Sequence, residues 1–220
     1  MKLLALLLKI SHYYETTVTT VFFLFFSSLF IYTLFQILDK EHQKTLFSKV
    51  VVFSSFIPLL LCIPNLSYAT LLILILSGLL TFFYATPLLS LGESNFNLRK
   101  IWFLKSVIVA LVWTLTSAVV PLLEYDASEF QMIWFSVEKF LFILGITIPY
   151  DIKDLEKDKQ EKGMTSFVMK FGIRKTKFIS NIILAFAFVL AFYIYGQSIL
   201  IISIPYVFAM YINSKLEKNT

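Results

Sequence analysis

Apolar residues run along this chain in blocks of about twenty, separated by short polar joints. The blocks fall near 17–37, 47–63, 67–86, 101–120, 131–150, 175–195 and 198–213. They are continuous rather than alternating, so they predict helices that cross a bilayer and not the short strands of a membrane barrel. Residues 2–14 predict a short or partial span before these, with Lys9 in its middle. That segment resembles the core of a signal peptide, but no small-x-small cleavage site follows it, and another apolar block does. The joints carry turn chemistry at Pro64-Asn65, across a loop from Pro87 to Asn97, at Pro121 and at Gly196. Pro58 and Pro205 fall inside blocks, where neighbouring helices can satisfy the carbonyls they free. The pattern predicts an all-α, multi-pass transmembrane helical bundle of about eight spans, a single membrane-embedded domain over residues 1–220.

Composition agrees. Of 220 residues, 58% are hydrophobic and only 15% charged, too greasy for a soluble domain, which needs a charged exterior. The net charge of +5 would suit nucleic acid if it formed a patch, but it is spread over alternate joints. Lys40, Lys44 and Lys49, then Arg99, Lys100 and Lys105, then eight basic residues between Lys153 and Lys177, then Lys215 and Lys218, make one set. The intervening joints carry Glu15 or Glu124, Asp126 and Glu129, or no charge. The positive-inside rule places the basic joints and both termini in the cytoplasm and leaves no nucleic-acid partner to expect. The expected location is a bacterial cytoplasmic membrane. Lys139, beside Glu138 near the outer end of a span, is the exception and calls for snorkelling or local pairing. Cys62 excludes an intrachain disulfide and reads as a packing residue. His12 and His42 lack the companions of a transition-metal site. The run Phe22-Phe23-Leu24-Phe25-Phe26 reads mainly as lipid-facing packing.

One charged run stands against this background, from Pro149 to Ser166. Asp151, Asp154 and Asp158 lie at i, i+3 and i+7, which on a helix puts them within an arc of roughly 60°. Three carboxylates on one stripe repel one another unless a cation sits among them, and an oxygen-only set suits Mg²⁺. The plain reading is a solvated helical extension of mixed charge, with Asp154 paired to Lys153 or Lys157. The other is a cation-binding stripe at the mouth of the bundle, holding a phosphorylated lipid whose tail lies between helices. Gln36, Asp39 and Gln43 repeat the spacing after an earlier block, with amides at two of three positions.

Tyr150-Asp151-Ile152-Lys153-Asp154-Leu155-Glu156-Lys157-Asp158 resembles the second aspartate motif, D-x-x-D-x-x-x-D, of the UbiA superfamily of intramembrane prenyltransferases. Gly163-Met164-Thr165-Ser166 with Gly172, Tyr84-Ala85-Thr86-Pro87, and the basic entry Arg99, Lys100 and Lys105 resemble further segments of that family. The likeness covers about residues 17–195. The departures are equally specific. The first motif, N-D-x-x-D-x-x-x-D, falls on Phe35, Gln36, Asp39 and Gln43, so only one carboxylate remains. Leu88 replaces a lysine often found there, Ser166 takes the place of a threonine, and no ninth span follows.

The resemblance implies transfer of an isoprenyl group from a polyprenyl diphosphate donor to an unidentified acceptor, aromatic or quinone-like. Asp151, Asp154 and Asp158 would hold Mg²⁺ and diphosphate, with Asp39 as a weaker second site. Gln36 and Gln43 would support that second site with Asp39 or bind phosphate through water, Arg99, Lys105 and Lys153 would contact phosphate, and Tyr84 would line the cavity near the reacting carbon. The degenerate first motif supports an alternative, a non-catalytic descendant that binds a prenyl lipid or a partner membrane protein. A small transporter is the third reading, disfavoured because the charges cluster on one face rather than at the midplane.

Overall fold

The computed structural model describes residues 18–38, 46–85, 89–91, 94–96, 101–124, 127–160, 163–196 and 199–216. Apart from short connecting turns and one short hairpin, these residues are helical. The helices are α1 (Val18–Leu38), α2 (Leu46–Cys62), α3 (Tyr68–Ala85), α4 (Leu104–Thr114), α5 (Val120–Glu124), α6 (Glu129–Tyr150), α7 (Leu155–Gln160), α8 (Phe167–Tyr195) and α9 (Ile199–Lys215). A π-helical turn, Leu115–Val119, joins α4 to α5, so that helical backbone runs from Leu104 to Glu124.

Each described apolar block became a helix. Among the described residues, three helices are long and apolar enough to cross a membrane: Leu104–Glu124, Glu129–Tyr150 and Phe167–Tyr195. Shorter apolar helices cover Val21–Phe30, Lys49–Cys62 and Tyr68–Tyr84. The first expected span, residues 2–14, lies outside the described residues. The outer surface is apolar as a bilayer environment demands, with Phe53 75% and Phe178 66% exposed. Three boundaries moved, the first at Pro121, where a joint was expected and helical backbone instead continues to Glu124. Residues 87–97 were expected to be a loop, yet β1 (Leu89–Leu91) pairs antiparallel with β2 (Ser94–Phe96), Leu89 opposite Phe96. α8 starts at Phe167 rather than near 175 because Gly172, at φ 77°, carries a break that leaves a short helical arm ahead of it.

The chain falls into two compact units. The first comprises the described part of Met1–Leu74 together with Val119–Ala127. Here α1 and α2 pack along each other around Phe23, Leu59 and Leu66, with Phe26, Phe30 and Cys62 against them. Cys62 is thus a free thiol in packing, and Phe22 and Phe25 of the phenylalanine run point outward. Glu124 accepts from the Ser67 N–H at 2.9 Å, satisfying a donor beside the start of α3.

The second unit comprises Ile75–Ala118 and Ser128–Thr220. α6 is its axis and packs against α4, α8 and α9. A capping box starts α6: the Gln131 N–H donates to Ser128 Oγ while the Ser128 N–H donates to Gln131 Oε1. Gly145 lets α8 approach closely, since a Cβ there would lie 2.7 Å from Leu184 Cγ. Pro149 lacks the N–H that would have bonded to the Gly145 carbonyl. Ser180 on α8 donates to that carbonyl at 2.6 Å instead, and Asn213 on α9 donates to Ser180 Oγ at 2.9 Å. A backbone defect in α6 has thereby become the polar tie among three helices.

Candidate functional site

The site forms where α6 ends and α4 begins. After Tyr150 the backbone tightens: the N–H groups of Asp151, Ile152 and Lys153 donate to the carbonyls of Ile148, Pro149 and Tyr150. These i to i+3 bonds end α6 in a 3₁₀-like turn, and helix resumes only at Leu155. The continuous helical stripe expected for the three aspartates is therefore broken between Asp151 and Leu155. The side chains converge all the same, through a residue 46 positions away.

That residue is Lys105, in the first turn of α4. Its Nζ lies 3.1 Å from Asp151 Oδ1, 3.5 Å from Asp154 Oδ2 and 3.1 Å from Asp158 Oδ2. Asp154 was expected to pair with Lys153 or Lys157; it pairs with Lys105, and the side chain of Lys157 lies outside the described residues. Asp151 and Asp158 are buried, and Asp154 is half exposed. Burial pushes the Asp151 carboxyl above the usual carboxylate range, and the nearby Asp158 adds to the rise. Lys105 and the Phe167 N–H pull the other way, the latter donating to Asp151 Oδ2 at 3.2 Å. Asp151 thus serves the first residue of α8 as well, a role open because Ser166, the N-cap residue, makes no capping bond with its own side chain.

The charged cluster opens into a cavity of about 540 Å³. Lys105, Ser106, Tyr150, Asp151 and Asp154 give it a polar mouth, and Tyr84, Val109, Trp113, Ile143 and Ile146 give it apolar walls. From Lys105 to Trp113 the wall extends about 12 Å along α4 at the usual helical rise. Its size falls within the roughly 300–1,000 Å³ typical of small-molecule sites. Two buried acceptors at this end have no hydrogen-bond partner among the described residues: Asp158 Oδ1 and Ser106 Oγ.

Of the residues singled out from sequence, the structure brings together Asp151, Asp154, Asp158 and Lys105, and it places Tyr84 in the cavity wall. Lys153 is exposed, its ammonium 5.1 Å from the centre of the Tyr150 ring, and it does not line the cavity. Asp39, Gln43 and Arg99 lie outside the described residues, as does the side chain of Gln36. Ser106, Trp113 and Thr147 were missed. Helical spacing could have found the last two: Val109 and Trp113 follow Lys105 at i+4 and i+8, and Ile143, Ile146 and Thr147 precede Tyr150 at i−7, i−4 and i−3. Ser106, one residue after Lys105, carries no such signal.

The residues fit Mg²⁺ in their chemistry, since all the donors are carboxylate oxygens and one buried oxygen is spare. Among the described residues, no three Asp, Glu, His or Cys side chains are grouped so as to hold a metal ion as they stand. The ammonium of Lys105 takes the shared position. Compared with protein-family models, with curated proteins and with solved structures, the chain matches none.

Proposed function

We propose that this chain is a UbiA-like intramembrane prenyltransferase that moves an isoprenyl group from a polyprenyl diphosphate to an aromatic or quinone-like acceptor. One observation carries the reading: a single cavity joins a carboxylate–lysine mouth to an apolar wall containing Trp113 and Tyr84. That is the polarity of a prenyl diphosphate, charged at one end and greasy along the rest. Asp151, Asp154 and Asp158 hold Mg²⁺, which when bound offsets the charge of the leaving diphosphate. Lys105 contributes a further positive charge at the mouth. Below it, Trp113 and Tyr84 present π-faces to an allylic cation, and the apolar walls exclude the water that would quench it. The eight-span topology with cytoplasmic termini belongs to the same proposal and puts the mouth on the cytoplasmic side.

The test is turnover of radiolabelled geranyl, farnesyl and longer diphosphates by the full chain in membranes, with Mg²⁺ and a panel of acceptors. Asp154→Ala should abolish it, and unchanged turnover in that variant would sink the assignment. A second reading, prenyl-lipid binding without turnover, is favoured by one feature, the lysine already held by all three aspartates. It predicts retained donor binding and no prenylated product by mass in lipids from cells that make the protein.

A further inference from the structure

We infer that Lys105 is a displaceable internal counter-ion that weakens the hold of the aspartate cluster on a lone divalent cation, so that metal and diphosphate strengthen each other's binding. The inference rests on the reading above and adds how the site is gated. Lys105 Nζ contacts one oxygen from each aspartate, at 3.1, 3.5 and 3.1 Å, with its side chain only 10% exposed. Asp151 Oδ2 is already engaged by the Phe167 N–H. What remains for an incoming cation is Asp158 Oδ1, which has no hydrogen-bond partner among the described residues, and the exposed side of Asp154.

The cluster still wants positive charge, because one ammonium faces three carboxylates. A metal ion arriving alone must either sit beside that ammonium, where repulsion is strong in a poorly solvated site, or push it off its partners. An ammonium displaced into the cavity meets apolar walls and only neutral hydroxyls, those of Tyr84, Thr147 and Tyr150 and that of Ser106, which is 3% exposed and has no hydrogen-bond partner among the described residues. A neutral hydroxyl replaces three carboxylates poorly, and an uncompensated buried charge is costly. A diphosphate changes the balance. It offers the ammonium an anionic partner at the mouth, Ser106 Oγ can donate to it, and the carboxylates are released for the metal. Lys105 is thus a positioning residue for the metal and a binding residue for the diphosphate.

The experiment uses the full chain in lipid nanodiscs and the electron paramagnetic resonance signal of free Mn²⁺. Wild-type protein should bind Mn²⁺ weakly, and Lys105→Met should bind it about tenfold or more tightly once the competing charge is gone. Lys159→Met removes an equal charge from an exposed lysine paired to Glu156 and should change affinity less than about twofold. Equal effects of the two substitutions, or no effect of Lys105→Met, would overturn the inference. A measurement on the unaltered protein covers the case in which Lys105→Met does not fold. Saturating Mn²⁺ should raise the rate of Lys105 acetylation, read by mass spectrometry, about fivefold or more, because the ion displaces the ammonium. A lysine that stays protected at saturating metal rules displacement out. Tritiated farnesyl thiolodiphosphate, which resists ionisation, tests the coupling and should bind the wild type far more tightly with Mn²⁺ than without. Binding of equal strength in both conditions overturns the coupling alone. No binding in either condition overturns the proposed function and the coupling, while the metal and acetylation arms still decide the counter-ion role.

Discussion

Two places along α6 bury acid, and they differ in kind. Midway along the helix, Glu138 is fully buried, accepts a hydrogen bond from the Tyr206 hydroxyl and has Lys139 3.3 Å from its other oxygen. Tyr206 packs in turn among Phe142, Phe188, Ala187 and Ala191. Just past the other end, about 20 Å away along the helix, Asp151 and Asp158 are as deeply buried but share one lysine and leave an oxygen over. The first acid has the Tyr206 hydroxyl on one oxygen and only the Lys139 ammonium near the other, which makes no hydrogen bond among the described residues, and it is not among the residues that line the cavity. The second group adjoins that cavity. A buried carboxylate is therefore not by itself a sign of chemistry in this bundle. Several carboxylates converging beside open space are the better sign, because a lone acid bonded to a neighbouring helix ties helices together, whereas a group that borders a cavity can still accept a ligand.

Substitutions can break that contrast. Glu138→Ala strands the Tyr206 hydroxyl and should cost about 3–5 kcal/mol of stability, read as a fall in thermal midpoint in detergent. Turnover per folded molecule should stay within about threefold of wild type. Asp154→Ala should do the opposite. Its side chain is half exposed, so stability should shift by less than about 1 kcal/mol, while turnover should drop about 100-fold or more, equivalent to about 2.7 kcal/mol. Loss of activity and stability in parallel for both variants would erase the distinction. Gly145→Ala lies between the two places and should destabilise by about 1–3 kcal/mol through overlap with Leu184, without changing Mn²⁺ affinity. The smallest effect belongs to Glu138→Gln, which can still accept from Tyr206. It should cost about 1 kcal/mol, and a loss as large as that of Glu138→Ala would show that the charge, not the hydrogen bond, holds the helices.

Much of this was legible in order of residues. The apolar blocks marked where α1, α2, α3, α4, α6, α8 and α9 lie, because a bilayer-length apolar run has few other ways to satisfy its backbone. The run of Asp151, Asp154 and Asp158 singled out three carboxylates that do converge, though not on one continuous helix, and Tyr84 was singled out as a cavity residue through a family likeness. Other features were not legible. The hairpin at Leu89–Phe96 depends on cross-strand pairing across a polar joint, and its short runs carry little periodicity. The early start of α8 depends on Gly172 adopting a positive φ inside a helical pattern. Glu138 and Lys139 looked like neighbours near a membrane face, and their link to Tyr206 spans 68 residues.

Sequence alone determined that this chain is helical, apolar and built around one acidic run, because those are properties of local composition and spacing. It also showed which residue types gather there, carboxylates with basic and aromatic company. Only the tertiary structure decided that the cation among the aspartates is Lys105, that Asp151 also serves the start of α8, and that the Gly145 carbonyl freed by Pro149 binds Ser180. Those are contacts between segments 16 to 53 residues apart. No local pattern encodes which distant side chain will arrive. The packing of α4 and α8 against α6 does, and with it the question of whether the site stands open or closed.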